Sequence, residues 1–359
     1  MDELVPRIYE KKHRGYNLAA PQPARKLFVG VDEAGYGPNL GPLLIGGSAW
    51  VVPAEMTETE LCTLLAAEQF CTAAWSANCD HVPLGDSKKL YQSATGLRTL
   101  ELGLLAMLAT LSDEHQVLCG SLGKLDQFVE RLAPASTRSN AAGTNSKVAP
   151  WYLNLSEFSV PVIEAFEPEI ARLSGLAKRR LQKHGIELVA ANAMVIDEAE
   201  FNRQVLQYDS KGKLLSLVTF EMVNCLLTAA PELPAEIFCD RQGGRKNYMP
   251  LLLEWMPESW FIETQQSNER CSYRTTTGRN LDIHFSVGGD SFPPTALASM
   301  VAKYLRERLM ESLNHYWNQQ VSGIKPTAGY PQDAVRFRKS IEAKATELGL
   351  PLEIWWRSR

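Results

Sequence analysis

The feature that most constrains the fold is an apolar run that ends in two acids and opens into a turn rich in glycine and proline. Residues 27–31 read LFVGV, Asp32 and Glu33 follow, and residues 34–42 read AGYGPNLGP. The last stretch holds too much glycine and proline for a helix or a regular strand. Residues 43–52 are again apolar enough for a buried strand. The segment therefore predicts two core strands joined by a polar turn that begins with the acidic residues Asp32 and Glu33.

The rest of the chain alternates candidate strands with candidate helices. Helical spacing occurs at about 54–75, 96–111 and 212–229, and strand candidates occur at 187–197, 236–240, 260–264 and 281–287. Pro293 and Pro294 open the strongest helix, whose apolar residues form one stripe. There is no repeat and no low-complexity tract. This alternation predicts a layered α/β fold.

The domain organisation follows from where this pattern is interrupted. Residues 1–26 are predicted to be a polar N-terminal arm, and residues 27–345 one catalytic domain. An insertion or small subdomain is predicted at about 95–186, because the sequence becomes irregular between about 120 and 186. Residues 346–359 are predicted to be a C-terminal tail that packs through Trp355 and Trp356.

Charge and cysteine content limit the classes of protein to which this chain could belong. The formal net charge of −4 neither supports nor excludes nucleic acid, because a local basic groove is enough to hold a polyanion. The seven cysteines contain no CxxC pair, which favours reduced thiols over disulfides or structural zinc. No apolar run has the length of a membrane span. We therefore expect a cytoplasmic protein with no membrane partner and no small organic cofactor.

Three acidic positions share one context at the end of an apolar run. Asp32 with Glu33 follows FVGV, Asp240 follows IFC, and Asp290 follows VGG. If these strand ends lay side by side, they would form a dense negative site that requires divalent cations. An acid at a strand end is more often a turn residue or a cap, and the alternative role for Asp290 is a cap of the helix near Pro293. Spacing alone leaves both interpretations open.

Four motifs resemble ribonuclease HII and occur in that family's order. They are residues 32–42 (DEAGYGPNLGP), residues 85–90 (GDSKKL), Gly289-Asp290 with the helix at 296–310, and Gly329-Tyr330. The resemblance covers most of 27–90 and 187–335, whereas 95–186 and the C-terminal tail have no counterpart.

The resemblance implies a ribonuclease H-like fold, a mixed sheet flanked by helices. It further implies an endonuclease that uses two metal ions, Mg²⁺ or Mn²⁺, to cut the RNA strand of RNA–DNA hybrids and to leave 3′-hydroxyl and 5′-phosphate ends. The matching catalytic and metal-ligating acids are Asp32, Glu33, Asp240 and Asp290. The expected partner is a hybrid or a ribonucleotide-containing duplex, and the oligomeric state stays open.

Candidate nucleic-acid contacts come partly from the resemblance and partly from local chemistry. They are Gly35, Tyr36, Gly37, Lys88, Lys89, Arg241, Arg245, Lys246 and Tyr330. The family's tripeptide normally reads glycine-arginine-glycine and helps to read the 2′-hydroxyl, but Tyr36 replaces the arginine here. Pro331 also replaces a glycine after the family's tyrosine. Both changes put the usual preference for a lone ribonucleotide in doubt, and the related ribonuclease HIII also departs from the arginine tripeptide.

Two alternatives of other kinds remain. One is a non-catalytic nucleic-acid-binding protein derived from such a nuclease, and the other is a nuclease with an altered substrate, either ribonuclease HIII-like or DNA-directed. Asp197-Glu198 also ends an apolar run and is a weaker ligand candidate. Lys303 faces either the site or solvent.

Overall fold

The computed structural model describes residues 24–77, 79–91, 96–111, 123–135 and 149–358, so most of the predicted N-terminal arm lies outside the described residues. Within these ranges the strands are β1 (Arg25–Ala34), β2 (Leu43–Pro53), β3 (Phe70–Cys71), β4 (Val82–Pro83), β5 (Glu187–Ile196), β6 (Ala235–Asp240), β7 (Phe261–Gln266), β8 (Arg270–Thr275) and β9 (Leu281–Ser286). The helices are α1 (Glu58–Ala67), α2 (Ser87–Leu90), α3 (Arg98–Leu108), α4 (Leu125–Leu132), α5 (Glu167–Lys183), α6 (Glu198–Tyr208), α7 (Lys211–Leu227), α8 (Met249–Trp255), α9 (Pro293–Gln320) and α10 (Pro331–Glu347).

The main sheet has seven strands in the order β5-β2-β1-β6-β9-β8-β7. The three central strands, β1, β6 and β9, run parallel, and the flanking pairs are antiparallel. The register places Val31 beside Cys239 and Asp240 beside Ser286. A mixed sheet flanked by helices confirms the predicted fold class. Because β1, β6 and β9 are parallel, their carboxyl ends lie next to one another at the same edge of the sheet.

Helix α9 lies unusually close to one face of this sheet. A Cβ atom at Gly30 would lie 2.2 Å from the backbone of Pro294, and one at Gly46 would lie 2.1 Å from the Ala298 carbonyl oxygen. Glycine at these positions lets the two backbones approach directly. The Ser48 hydroxyl also donates to the Pro294 carbonyl at 2.7 Å. The opposite face is covered by α7, so that each side of β1 and β2 has its own apolar core.

Within 95–186, the described residues 96–111, 123–135 and 149–186 are more regular than their sequence suggests. Helix α3 is buried along almost its whole length, and α5 extends for 17 residues. Both helices contribute to the same apolar core as α9. In the C-terminal region, Trp355 is buried together with Trp317 and Phe337. No helix in the described part of the chain is long and apolar enough to cross a membrane.

Local boundaries differ from the sequence predictions for identifiable reasons. The helix predicted at about 54–75 ends at Ala67, because Phe70–Cys71 pairs with Val82–Pro83. The polar loop predicted at 85–90 contains the short helix α2, whose N-cap Asp86 accepts a hydrogen bond from the Lys88 amide at 2.9 Å.

Candidate active site

The four predicted acids, which we call the acid cluster (Asp32, Glu33, Asp240 and Asp290), come from neighbouring strand ends. Asp32 and Glu33 lie near the end of β1, and Asp240 is the last residue of β6. Asp290 follows β9 in a short 3₁₀ turn. Asp240 Oδ1 accepts a hydrogen bond from the Gly289 amide at 3.0 Å, which ties the second strand end to the third. Phe292 rather than Asp290 occupies the N-cap of α9, and no side chain caps that helix.

Helix α9 supplies a residue that the sequence analysis did not single out. The Ser299 side chain lies close enough to Asp32 to lower the pKa of that carboxyl against the larger effect of burial, and its hydroxyl lies 3.0 Å from the Ser87 hydroxyl. Ser87 belongs to the predicted motif at 85–90, so the serine pair connects that motif to the acid cluster. Both serines are buried. A polar residue on the buried face of an otherwise apolar helix was the available signal for Ser299.

Burial and mutual repulsion dominate the electrostatics of the acid cluster. Burial, followed by the charges of Glu33 and Asp240, raises the pKa of Asp32 well above its usual value. Burial and Asp240 raise the pKa of Glu33 to about 7. The pKa of Asp240 is likewise raised by burial, with a contribution from Asp290. The pKa values of Asp32, Glu33 and Asp240 are therefore all raised in part by neighbouring carboxylates, as expected for negative groups crowded into one site.

Lys88 provides the positive charge that faces this site. Its Nζ lies 3.7 Å from Asp290 Oδ2, and it lowers the pKa values of Glu33 and Asp240. The Lys88 side chain is 83% exposed, so this ion pair is screened by water and contributes little stability. Lys88 does not neutralise the acid cluster.

The carboxylate oxygens of the acid cluster are suitable ligands for hard divalent cations. The four side chains of the cluster do not, however, converge on a single point in this structure. Among residues 24–77, 79–91, 96–111, 123–135 and 149–358, no group of three or more Asp, Glu, His or Cys side chains is arranged to hold a metal ion. Ser299 and Gly289 hold Asp32 and Asp240, while Asp290 faces Lys88. Four crowded carboxylates nevertheless offer the oxygen ligands that Mg²⁺ and Mn²⁺ prefer.

The motif loop, residues 35–42, is supported from beneath by Arg306 and Arg357, which we call the arginine brace. Arg306 donates to the Pro42 carbonyl at 2.6 Å and to the Leu40 carbonyl at 2.7 Å. Arg357 donates to the carbonyls of Gly35 and Tyr36, the second at 3.1 Å. Both arginines are buried. The brace fixes the backbone of the segment that carries the predicted tripeptide.

Glu198 completes this support and is not placed with the acid cluster. Its Oε1 accepts a hydrogen bond from the Gly41 amide at 2.9 Å, and the side chain is fully buried. Asp197 caps α6 by accepting from the Glu200 amide at 2.8 Å. The weaker ligand candidate Asp197-Glu198 thus consists of a helix cap and a support for the motif loop.

The other predicted nucleic-acid contacts fall into two groups, one near the motif loop and α2 and the other in the loop after β6. The Gly329 carbonyl accepts from the Asn39 amide at 3.0 Å, which places exposed Tyr330 next to the motif loop. Gly37, Lys88 and Lys89 are exposed. Lys303 pairs with Glu307 at 2.6 Å.

Within the arginine-rich loop after β6, the basic residues diverge. Arg241 donates to the Ser267 carbonyl at 3.2 Å, and Lys246 donates to Asn268 Oδ1 at 3.1 Å, so both hold the turn between β7 and β8. Arg245 instead lies near Tyr36, whose pKa it lowers against the larger effect of burial. The structure therefore brings one member of this predicted basic group to the motif loop and engages the other two elsewhere.

Comparison with known proteins gives structural likenesses alone. No family model matches the sequence, and no curated protein matches it. The chain is similar to a structure of the PCNA:RNase HII complex from Archaeoglobus fulgidus, at 13% identity and a TM-score of 0.37, covering 93% of this chain and 94% of that one. It is also similar to the ribonuclease H2 from Pyrococcus horikoshii OT3, at 14% identity and a TM-score of 0.38, covering 92% of each chain.

A third similar structure is Bst-RNase HIII in complex with Mn²⁺, at 14% identity and a TM-score of 0.39, covering 97% of this chain and 72% of that one. Identities and TM-scores this low do not establish a family. The functional assignment therefore depends on the geometry of the site itself.

Proposed function

We propose that this protein is a divalent-metal-dependent endonuclease that hydrolyses the RNA strand of RNA–DNA hybrids. The observation that carries the proposal is the convergence of Asp32, Glu33, Asp240 and Asp290 at adjacent strand ends, where burial and neighbouring carboxylates raise the pKa values of Asp32, Glu33 and Asp240. Such crowding is unfavourable unless cations occupy the site. We infer that the cations are two Mg²⁺ or Mn²⁺ ions, since the ligand oxygens are all from carboxylates.

Each residue of the site has a distinct role in this proposal. The four carboxylates hold the ions, Ser299 orients Asp32, and the Gly289 amide orients Asp240. Bound ions supply activation of the attacking water and stabilisation of charge on the departing 3′ oxygen. The Asp290 side chain must exchange its contact with Lys88 for one with an ion. Lys88 is then available for a backbone phosphate.

Substrate recognition is assigned to the surface beside the acid cluster. The motif loop follows Asp32 and Glu33 directly in sequence, and exposed Tyr330 lies next to it. We infer that the strand to be cut crosses Gly35, Tyr36 and Gly37, where a 2′-hydroxyl distinguishes RNA from DNA. Cleavage leaves 3′-hydroxyl and 5′-phosphate ends, because water attacks phosphorus and the 3′ oxygen departs.

The test is cleavage of matched duplexes by metal-stripped protein to which Mg²⁺ or Mn²⁺ is returned. The substrates are an RNA–DNA hybrid, DNA with one ribonucleotide, and DNA alone. We expect cutting of the hybrid strictly with metal, and a loss of about a thousandfold or more in Asp290→Asn. The matched control is Asp126→Asn, an exposed acid on α4, which should cut like wild type. Equal rates for wild type and Asp290→Asn would reject the proposal.

A second candidate is a nucleic-acid-binding protein without catalysis. It is favoured by the lack of a ready three-ligand group within the described ranges and by the contact of Lys88 with Asp290. This candidate predicts salt-dependent hybrid binding that persists without metal, together with no cutting. Comparison of the three substrates also separates hybrid cleavage from a DNA-directed activity, since they differ in 2′-hydroxyls.

A further inference from the structure

Two cationic side chains from distant segments converge on Tyr36. The Lys211 ammonium at the start of α7 lies 4.5 Å from the centroid of the Tyr36 ring. Arg245, from the loop after β6, also lies near Tyr36 and lowers its pKa against the larger effect of burial. The sequence gives no direct sign of this arrangement, because Tyr36 and Lys211 belong to widely separated parts of the chain.

Gly212 leaves a gap between these groups. A Cβ atom at this position would lie 3.4 Å from Arg245 Nη2 and 3.9 Å from the Tyr36 hydroxyl oxygen. The guanidinium and the phenol therefore border the same small space. Arg245 Nε is buried and has no hydrogen-bond partner within the described ranges, whereas the neighbouring Arg241 and Lys246 hold the turn between β7 and β8. The guanidinium is thus positioned for a partner that the described part of the chain does not provide.

We propose that Lys211, Arg245 and the Tyr36 hydroxyl bind one backbone phosphate of the nucleic acid beside Gly212. The guanidinium fork and the ammonium match the two free oxygens of a phosphodiester, and the phenol adds a donor. Position 36 carries arginine in the family that the motif resembles, so positive charge lost there is restored by two other segments. This inference rests on the proposed function, because it assigns a phosphate of the same substrate.

The subsite is close enough to the acid cluster to serve the same duplex. Glu33 contributes to the raised pKa of Tyr36, after the larger effect of burial. A phosphate held at Lys211 and Arg245 therefore lies on the strand near the cleavage position, and it fixes the register of that strand. Tyr36 acts here as a phosphate ligand and not as a reader of the base.

The first test measures hybrid binding by fluorescence anisotropy across a salt series, in EDTA so that no cutting occurs. In the Lys211→Gln/Arg245→Gln variant we expect about tenfold weaker binding at about 0.1 M salt and a salt slope smaller by about one to two units. The matched control is Lys213→Gln on the same helix, whose ammonium pairs with Glu254 at 2.9 Å and should leave the slope unchanged. Melting temperatures of all variants confirm folding.

The second test locates the phosphate. A single uncharged methylphosphonate is moved along each strand of the duplex, and binding is measured for wild type and the double variant. We expect one position at which the neutral linkage weakens wild-type binding about tenfold but leaves the double variant unaffected. Equal salt slopes for all proteins, or equal losses for wild type and variant at every linkage, would overturn the subsite.

These binding measurements are independent of catalysis. A protein that fails to cut but shows the expected slopes supports the phosphate subsite and removes the nuclease proposal. A protein that cuts with unchanged slopes in the double variant removes the subsite and leaves the nuclease proposal standing.

Discussion

The acid cluster and the arginine brace both adjoin the motif loop, and both hold charged groups away from full contact with water, but the two regions compensate that charge differently. At the brace, Arg306 and Arg357 donate to backbone carbonyls of the loop, and Glu198 accepts from the Gly41 amide and from the Tyr152 hydroxyl, at 2.9 and 3.2 Å. At the acid cluster the carboxylates face one another, and the facing cation is exposed Lys88.

This difference distinguishes residues that stabilise the fold from residues that are candidates for catalysis. Burying a charge is costly unless the chain supplies partners, and the brace supplies them from its own backbone. In the acid cluster, neighbouring carboxylates instead raise the pKa values of Asp32, Glu33 and Asp240, and the proposed metal ions would supply the compensating positive charge. A raised pKa alone does not make this distinction, because Glu198 is shifted to about 7 just as Glu33 is; the acid cluster is the candidate for chemistry because several carboxylates share one site there.

Removing the brace should have the largest effect on the fold. Arg357→Met leaves the partly buried carbonyls of Gly35 and Tyr36 without this donor. We expect the free energy of unfolding to fall by about 3 kcal/mol, with weaker hybrid binding. Urea unfolding measures the first effect. The control Lys339→Met, at an exposed position on α10, should change it by less than about 0.5 kcal/mol. Equal changes in both variants would remove Arg357 from the support of the loop.

Removing charge from the acid cluster should act in the opposite direction. The pKa of Glu33 is raised to about 7, so at about pH 8 the folded protein carries an ionised group at a cost. Glu33→Gln should therefore raise the free energy of unfolding by about 2 kcal/mol without metal. Saturating Mg²⁺ should abolish this gain, because the ion stabilises the wild-type carboxylate.

The control for this second comparison is Glu258→Gln, which changes an exposed acid and should be neutral in both conditions. If Glu33→Gln lowered the free energy of unfolding in metal-free solution, other groups of the chain would already stabilise the ionised carboxylates of the acid cluster. The contrast with the brace would then be lost.

The smallest expected effect is a pH dependence at the brace. Burial raises the pKa of Glu198 from 4.5 to about 7, so the folded state holds this proton more tightly than the unfolded state. Its contribution to stability is therefore full below about pH 4.5 and is lost as pH rises through about 7. Glu198→Gln should remove about 1 kcal/mol of this decline. Unfolding is measured between about pH 5 and about pH 8 in saturating Mg²⁺, because bound Mg²⁺ should suppress the contribution of the acid cluster to the pH dependence. Identical pH profiles for wild type and variant would contradict the assignment.

The sequence predicted the acids and their strands because that signal is local. An apolar run, a following acid and a glycine lie within a few residues, and the resulting strands β1, β6 and β9 confirm the predicted fold class. Their adjacency could not be derived from spacing and came from the resemblance. Strand β8 was missed, since RCSYRT is half polar and the pattern there is weak.

The brace escaped sequence analysis because its contacts are not local. Arg306 bonds to a carbonyl 264 residues away, and an arginine on a helix is ordinarily a solvated residue. The basic loop shows that local reasoning does not foresee which partners a basic side chain has within the fold. Arg241 and Lys246 look like phosphate ligands in the sequence, yet both are engaged by the turn between β7 and β8.

The distance in sequence between Arg357 and the motif loop has a consequence for the order of folding. The bond to the Gly35 carbonyl spans 322 residues, whereas β1 and β2 pair across a single turn. Contacts of long separation form late, after the entropy of closing the chain has been overcome. We therefore expect the hairpin with Asp32 and Glu33 to form early and the motif loop to be fixed by Arg357 late in folding. Local opening near Arg357 would release the loop while the sheet stays paired, which is a route to slow conformational gating.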